Sequence, residues 1–232
     1  MNIIEPTMIG RGENTDPLCL PTPWAVRLLS HSPWRRFAVV GDSLAEGIGD
    51  PVPGYRPLVW GDRIAEAFAT TNTEFTYLNT GKMFATISEV MDNQLPAVRA
   101  FEPDLVHVIC GANDVLRPGA DPCVIEDQLE RLFGEIRATG AQISTFTLSD
   151  TFGGRKKLAA VRDMLIELND IIRRTAARHD AITVELWEHP ARLRHDWLSA
   201  DRMHPSMSGQ AVIATELIYA LSRHSVPAAV AS

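Results

Sequence analysis

Five short apolar segments, each separated from the next by a stretch with helical periodicity, constrain the fold of this chain more than any other feature. They cover residues 36–40, 75–78, 105–110, 143–148 and 182–185. Strands that alternate with helices pair in parallel through right-handed crossovers. The pattern therefore predicts an α/β fold, a three-layer α/β/α sandwich built around a five-stranded parallel sheet.

Apolar residues at helical spacing predict the intervening helices over 57–70, 87–101, 122–139, 157–179 and 206–223. Pro96 interrupts the second of these, so we expect a kink or two separate pieces there. Two helices have clear inward faces. The predicted inward residues are Ile125, Leu129, Leu132, Phe133 and Ile136 in one helix, and Leu158, Val161, Leu165, Leu168 and Ile172 in the other.

The chain has 232 residues, of which 45% are hydrophobic. A single folded domain of this size can bury a sizeable core. Residues 1–33 are rich in Pro, Gly, Asn and Thr, and we interpret them as an irregular N-terminal extension. We expect the folded domain to cover 34–225 and a short tail to follow over 226–232.

Charge and cysteine content exclude several classes of protein. The net charge is −7 and there is no basic stripe with interleaved aromatic residues, so nucleic acid is not expected as a partner. No apolar run is long enough for a membrane span, and the N-terminus lacks the features of a signal peptide. Cys19, Cys110 and Cys123 form neither a disulfide framework nor a CxxC zinc pair. We therefore expect a cytoplasmic protein.

Small polar residues follow three of the predicted strands and precede the last helix. The four clusters are Gly41-Asp42-Ser43, Asn79-Thr80-Gly81, Gly111-Ala112-Asn113-Asp114 and Asp201-Arg202-Met203-His204. In parallel sheets, functional loops gather at the carboxyl ends of the strands. We therefore expect all four clusters to meet at one rim of the sheet.

These residue types match the requirements of acyl transfer. A serine hydroxyl such as that of Ser43 needs a base within hydrogen-bond reach, and His204 is suited to that role. Asp201 can hold the imidazole of His204 in one tautomer. An oxyanion needs preorganised donors, which can be the backbone N–H groups of Ser43 and Gly81 and the side-chain amide of Asn113.

The ordered set of four blocks resembles the GDSL, or SGNH, hydrolase superfamily of esterases and lipases, and its bacterial free-standing members most. The serine of GDS, the glycine after the second strand, the asparagine of GxND and the histidine of DxxH correspond to Ser43, Gly81, Asn113 and His204, with Asp201 completing the last block. The resemblance implies a flavodoxin-like sheet with strand order 2-1-3-4-5. It also implies that 34–225 is a catalytic domain that hydrolyses esters without a metal or organic cofactor.

Several alternatives stay open. Gly41-Asp42-Ser43 alone would be more typical of a turn at the end of a strand. A non-catalytic binding protein could keep this fold, and a flavodoxin-like nucleotide binder rests on analogy of fold alone. The small-molecule substrate can be a short-chain aliphatic ester, an acetylated sugar, a lysophospholipid or a thioester. Loops 115–120 and 149–156 are expected to decide among them, and the oligomeric state is left open.

Neighbouring polar residues have simpler interpretations. We expect Asp42 to support the turn that aims Ser43, and Asp114 to cap the loop after Asn113. Asn79 either braces the Gly81 loop or faces solvent. His107 is expected in the core, and the glycine-rich segment 47–54 at the substrate side. No set of residues has the spacing of metal ligands.

Overall fold

A five-stranded sheet in which all neighbours are parallel forms the centre of the computed structural model, which describes residues 11–152 and 156–225. Its strands are β1 (Arg36–Gly41), β2 (Thr76–Asn79), β3 (Leu105–Ile109), β4 (Gln142–Phe146) and β5 (Ile182–Val184). Their order across the sheet is β2-β1-β3-β4-β5. The predicted fold class and strand order are therefore confirmed, with strand ends within two residues of those expected.

Helices cover both faces of this sheet. They are α1 (Thr22–Leu29), α2 (Ser43–Glu46), α3 (Trp60–Thr71), α4 (Ile87–Glu89), α5 (Leu95–Phe101), α6 (Ala112–Val115), α7 (Pro122–Arg137), α8 (Ala159–Arg178) and α9 (Met207–Ser225). A π-helical turn, Val90–Gln94, joins α4 to α5, and 3-10 turns cover Lys156–Leu158 and Pro190–Leu193. Within the described residues, no helix combines the length and apolar character needed to cross a bilayer.

One predicted helix begins later than expected and another is divided as expected, each for an identifiable reason. The helix expected over 57–70 begins at Trp60, because the Arg63 guanidinium binds the carbonyl oxygens of Leu58 and Arg56 and so holds them outside the helix. The helix expected over 87–101 is divided as predicted. Pro96 lies in the first turn of α5, where its missing N–H costs no helical hydrogen bond.

Alternating residues of β1 pack into two separate hydrophobic cores. Phe37 and Val39 pack under α1, α3 and α9, whereas Ala38 and Val40 pack on the opposite face under α5, α7 and α8. This alternation follows from the two-residue period of a strand. All five predicted inward residues of α7 are buried, which confirms that helix's orientation.

Part of the N-terminal extension is held against the rest of the chain. Leu29 of α1 is buried between α3 and α9. The buried carboxylate of Asp16 accepts two hydrogen bonds from Arg194, at 2.7 and 2.9 Å, and one from the Tyr55 hydroxyl at 2.6 Å. Residues 11–33 therefore pack on the domain and contact the segment that leads into the last helix. Residues 1–10 of the extension and the tail 226–232 lie outside the described residues.

Candidate active site

Ser43 is presented by a sharp turn at the end of β1. Gly41 has φ +141°, and a Cβ on it would lie 1.8 Å from the carbonyl oxygen of Ile109, so only glycine allows the two strands to approach there. Asp42 then caps α2 by accepting the N–H of Leu44 at 2.9 Å. Ser43 is consequently the first residue of a four-residue helix at the rim of the sheet, and Asp42 has the supporting role expected of it.

Three side chains form a continuous hydrogen-bonded chain. The Oγ of Ser43 lies 2.8 Å from Nε2 of His204, and Nδ1 of His204 lies 2.6 Å from Oδ2 of Asp201. A carboxylate can only accept, so Nδ1 carries the hydrogen and Nε2 is free to accept from the Ser43 hydroxyl. The structure thus brings together the three residues predicted for nucleophilic catalysis.

His204 and Asp201 differ in exposure. The His204 side chain is 9% exposed, whereas that of Asp201 is 47% exposed. Partial desolvation opposes ionisation of Asp201, but hydrogen bonds from the His204 ring and from the N–H groups of Met203 and His204 lower its pKa. Asp201 is therefore an anion that can stabilise a positive imidazolium.

Backbone pairing shapes the loop that carries Asp201 and His204. Leu198 and Pro205 form an antiparallel bridge, and the N–H of Ser199 donates to the carbonyl of His204 at 2.8 Å. This closes the loop into a short hairpin before α9. His204 consequently stands outside the helix, as expected for a residue that precedes proline.

Asp50 supports this loop from another part of the chain and was missed by sequence reasoning. Its N–H donates to Ser199 Oγ at 2.8 Å, its carboxylate accepts the N–H of Ala200 at 2.8 Å, and its carbonyl accepts the N–H of Met207 at 2.9 Å. The segment 47–54 therefore holds the Asp201–His204 loop, and none of its described residues lines the cavity beside Ser43. A lone Asp in a glycine-rich stretch gave no signal for this role.

Asn113 reaches the same rim from β3. It lies in α6 and lines the cavity next to Ser43 and His204. Its Nδ2 donates one hydrogen bond, at 3.0 Å, to the carbonyl of Ala85. An amide nitrogen carries two hydrogens, so one donor of Asn113 is left for a ligand.

Gly81 is placed differently from the other predicted site residues. Its N–H donates to Oδ1 of Asn79 at 2.8 Å, and Nδ2 of Asn79 donates to the carbonyl of Ala45 at 2.8 Å. A Cβ on Gly81 would lie 2.3 Å from the backbone nitrogen of Glu46. Gly81 thus allows its loop to pack closely on α2, and Asn79 braces that loop. An oxyanion would have to compete with Asn79 for the Gly81 N–H.

Gln94 is a second residue that sequence reasoning missed. Its side chain is buried, and its Oε1 and Nε2 bond the N–H and the carbonyl of Gly41 at 2.9 and 2.8 Å. Gly41 lies beyond the last residue of β2, so no strand partner is available to it on that side. The Gln94 amide, together with the N–H of Lys82, which donates to the Gly41 carbonyl at 3.0 Å, replaces the strand pairing that is missing there.

Two carboxyl groups near Ser43, that of the buried Asp42 and that of the partly buried Asp114, have raised pKa values. Burial raises the pKa of Asp42 to about 7, although the N–H of Leu44 and the nearby His204 act in the opposite direction. Burial also raises the pKa of Asp114, which accepts the N–H of Ile87 at 3.1 Å. The Asp114 carboxylate therefore braces the start of α4, whereas the sequence predicted that it would cap the loop after Asn113.

His107 is a core residue, as expected. It is fully buried between Trp60 and Phe146, and its Nδ1 lies 3.0 Å from Ser144 Oγ. Burial lowers the pKa of His107 to about 3, so the ring is neutral. Over residues 11–152 and 156–225, no three His, Cys, Asp or Glu side chains are grouped so that they could hold a metal ion.

A cavity of about 350 Å³ opens beside Ser43 and His204. Its walls include Leu116 from the first loop expected to select substrate, and Ser149, Thr151 and Phe152 from the second. The remainder of that second loop, residues 153–155, lies outside the described residues.

Comparison with known proteins agrees with this geometry. The model of the GDSL-like lipase/acylhydrolase family matches residues 39–212, a span that includes Ser43, Asn113, Asp201 and His204. Among curated proteins, no sequence matches this chain significantly.

Solved structures share the fold at low sequence identity. LAE5, an alpha/beta hydrolase enzyme from the metagenome of Lake Arreo, Spain, is 23% identical over 81% of this chain and 94% of its own, with a TM-score of 0.65. TesA is 21% identical over 82% and 99%, with a TM-score of 0.64. Axe2, an acetylxylan esterase from Geobacillus stearothermophilus, is 19% identical over 84% and 97%, with a TM-score of 0.66.

The buried Asp42 predicts a specific pH dependence of stability. In the unfolded chain this carboxyl ionises near pH ~4, but in the folded protein it does so only near its raised pKa of about 7. The folded state therefore binds more protons between these values and loses stability as pH rises through them. Relative to Asp42→Asn, which cannot ionise, the wild type should lose roughly 2.5 kcal/mol of unfolding free energy between pH 5 and pH 8. Urea unfolding of both proteins at the two pH values measures this difference, and a difference that does not change with pH contradicts the prediction.

Proposed function

The chain belongs to the GDSL-like lipase/acylhydrolase family and is a carboxylic ester hydrolase, and we propose that Ser43 is its nucleophile, His204 its general base and Asp201 the group that orients His204. The observation that carries this proposal is the unbroken chain of hydrogen bonds from Asp201 through His204 to Ser43. Nucleophile, base and orienting carboxylate in that order are the arrangement by which a neutral serine becomes reactive.

In the first half of the reaction, Ser43 Oγ bonds to the ester carbonyl carbon while its proton moves to Nε2 of His204. Asp201 stabilises the imidazolium that results and does not itself take the proton. The tetrahedral intermediate then breaks its bond to the alcohol oxygen, and His204 returns the proton to that oxygen. In the second half, water adds to the acyl-enzyme with His204 again as base, and the carboxylic acid and free Ser43 are released.

The proposed oxyanion donors are the N–H of Ser43, the free N–H of Asn113 and the N–H of Gly81. Ser43 begins a helix, so its N–H has no partner within that helix. Asn113 lines the cavity with one hydrogen unused by Ala85. Gly81 is the weakest of the three, because its N–H already donates to Asn79.

A binding protein that retains the fold without catalysis is the alternative from another class. Such a protein has no need of a base bonded to the serine, or of a carboxylate bonded to that base. All three are present here within hydrogen-bond distance, which favours the enzyme.

The cytoplasm is the proposed compartment. Cys19 and Cys110 are buried free thiols and Cys123 is an exposed one, a state that a reducing environment preserves.

Removal of the nucleophile is the direct test of the mechanism. Ser43→Ala should lower kcat for p-nitrophenyl esters by roughly 10⁴-fold or more, because the members of such a triad act as a unit. An alkyl p-nitrophenyl phosphonate should add one phosphonyl group to the wild type, and peptide mass mapping should place it on Ser43.

Ser88→Ala, a change at an exposed serine on α4, is the matched control and should retain both activity and labelling. Activity of Ser43→Ala within about tenfold of wild type would exclude the serine mechanism. A protein that binds esters without turnover and takes up no phosphonyl group would support the non-catalytic alternative.

The role of Asp201 is tested by removing its charge. Asp201→Asn should fold normally but lower kcat/KM by about 10²–10⁴-fold, because the amide favours the wrong tautomer of His204 and leaves the imidazolium without its anion. Asp121→Asn is the matched control, since Asp121 caps α7 and asparagine caps helices equally well. A wild-type rate in Asp201→Asn, with an unchanged melting temperature, would mean that Ser43 and His204 work as a dyad.

A further inference from the structure

The cavity beside Ser43 extends away from the catalytic rim toward the start of α8. Leu165 and Val161 of α8, together with Leu158 just before it, lie on one face of that helix and form one wall. Trp197 and Phe146 contribute to the opposite side. The space is therefore enclosed between the helix layer and the carboxyl ends of β4 and β5.

Hydrocarbon dominates the walls of this cavity, and its mouth is also apolar. Leu116 and Met203 line it and are 43% and 64% exposed, which places them at the opening. Exposed apolar side chains are in unfavourable contact with water, and a group of them at an opening is typical of a site that a ligand covers. A ligand with an apolar part that extends from Ser43 inward would cover these surfaces.

Polar groups in the walls are largely committed to the protein itself. The Thr147 hydroxyl donates to Glu185 and accepts the N–H of Leu186, and the Ser149 hydroxyl accepts the indole N–H of Trp197. Among the described lining residues there is no Arg or Lys. A hydroxyl-rich sugar or an anionic group would therefore find few free partners along these walls.

We propose that this cavity binds the acyl chain of the substrate, and that the enzyme prefers esters of medium-chain carboxylic acids over acetyl esters. The inference rests on the proposed function, since it needs Ser43 as the nucleophile. The acyl carbonyl lies at Ser43 and the chain runs inward between α8 and the β4 and β5 loops. The alcohol leaves toward the mouth lined by Leu116 and Met203.

Cavity size gives the expected chain length. The volume of about 350 Å³ is roughly twice the ~150 Å³ that accommodates the six carbons of benzene in a protein interior. Part of that space is needed at Ser43 for the reacting ester. The remainder fits an acyl chain of about eight to ten carbons.

The experiment is a series of p-nitrophenyl esters from acetate to dodecanoate, assayed with the full-length enzyme. Each methylene that moves from water into the cavity should raise kcat/KM by about fourfold. The increase should end at about eight to ten carbons, where the cavity is full. An acetyl ester that is hydrolysed as fast as the octanoyl ester would overturn the proposal.

Two variants test where the acyl chain of the substrate binds. Val161→Phe should fill part of the cavity and lower kcat/KM for octanoate by at least about tenfold, with little effect on acetate. Leu165→Phe should do the same from the next turn of α8, and serves if the first variant does not fold. Val124→Phe is the matched control, since Val124 is half-exposed and lines a separate cavity between α6 and α7.

Failure of this inference and failure of the proposed function give different results. If acetate is the best substrate, or if the Val161 and Leu165 variants keep the wild-type profile, the acyl-chain assignment is wrong while Ser43 remains labelled by phosphonate. If no ester is hydrolysed and no phosphonyl group appears on Ser43, the proposed function itself fails. If Val124→Phe also changes how kcat/KM depends on acyl-chain length, the acyl chain binds elsewhere and the assignment is overturned.

The amide of Gln94 supports a second and independent inference. It binds both the backbone N–H and the backbone carbonyl of Gly41, and its Oε1 also lies 3.2 Å from the Thr80 hydroxyl. Gln94 is the last residue of the π-helical turn, and such turns are frequent at functional sites. Gln94 contacts Gly41, two residues before Ser43 in the sequence, at the end of the strand that presents Ser43.

The geometry points to Gln94 as a positioning residue that sets the direction of the Ser43 turn. Gly41 is in a backbone conformation with positive φ and approaches Ile109 closely, so any rotation of its peptide moves Asp42 and Ser43 relative to His204. The N–H and the carbonyl of Gly41 belong to the two successive peptide groups on either side of its Cα, and the Gln94 amide binds both, so it fixes the orientation of one relative to the other. The N–H of Lys82 also donates to this carbonyl, at 3.0 Å.

The test separates positioning from simple stabilisation. Gln94→Met keeps the size of the side chain but removes both hydrogen bonds, and should lower kcat by about 10–100-fold with KM within about threefold, since small displacements of reacting groups are costly. The rate of phosphonate labelling of Ser43 should fall in parallel. Gln142→Met is the matched control, because Gln142 also bonds backbone carbonyls but lies at the opposite end of the sheet.

Thr80→Val, which removes only the hydroxyl bonded to Gln94, should lower kcat by a few-fold and serves if Gln94→Met does not fold. The inference is overturned if Gln94→Met or, in its place, Thr80→Val lowers the melting temperature but leaves kcat and the labelling rate unchanged.

Discussion

Close contact between the ends of β1 and β3 is the constraint on which the rest of the site depends. Gly41 approaches the carbonyl of Ile109 so closely that no side chain fits, and the N–H of Asp42 donates to that same carbonyl at 3.1 Å. The two loops that follow these strands are consequently neighbours. One loop carries Ser43 and the other carries Asn113, so a single backbone contact places the proposed nucleophile next to a proposed donor for the oxyanion.

Two carboxyl groups flank Ser43 and His204 in opposite environments. Asp201 is half-exposed and hydrogen-bonded, which lowers its pKa and keeps it charged. Asp42 is buried, which raises its pKa to about 7. An anion at Asp201 stabilises the imidazolium of His204, whereas the same charge at Asp42 would have to be accommodated without water. Environment rather than residue type therefore decides which aspartate can serve in catalysis and which serves as a cap.

Sequence alone predicted the elements whose signal is local. Strand and helix positions follow from apolar periodicity, and the proposed triad follows from residue types that a parallel sheet must bring to one rim. Gln94 and Asp50 could not be predicted in this way, because their partners are backbone groups of residues about 50 and 150 positions away. Gly81 illustrates the converse case, a residue that the motif locates but whose hydrogen-bond partner it does not give. Its place in the pattern suggested a free N–H, but the neighbouring Asn79 takes that N–H, and a motif gives no information on such competition.

The apolar stripe of α8 shows why substrate preference cannot be predicted from the sequence. Leu165, Leu168 and Ile172 are buried as predicted and Val161 is only partly buried, but Leu165 and Val161, nearer the N-terminus on the same face, also line the cavity beside Ser43. Both halves of the stripe have the same spacing and the same chemistry, so periodicity cannot tell a side chain that packs on its own protein from one that would pack on a ligand. The difference arises where the sheet ends. Asn169, in the middle of α8, bonds the N–H and the carbonyl of Leu148, two residues after the end of β4. The first turns of α8 therefore lie beyond the end of that strand, and the hydrocarbon they present there is available to a substrate.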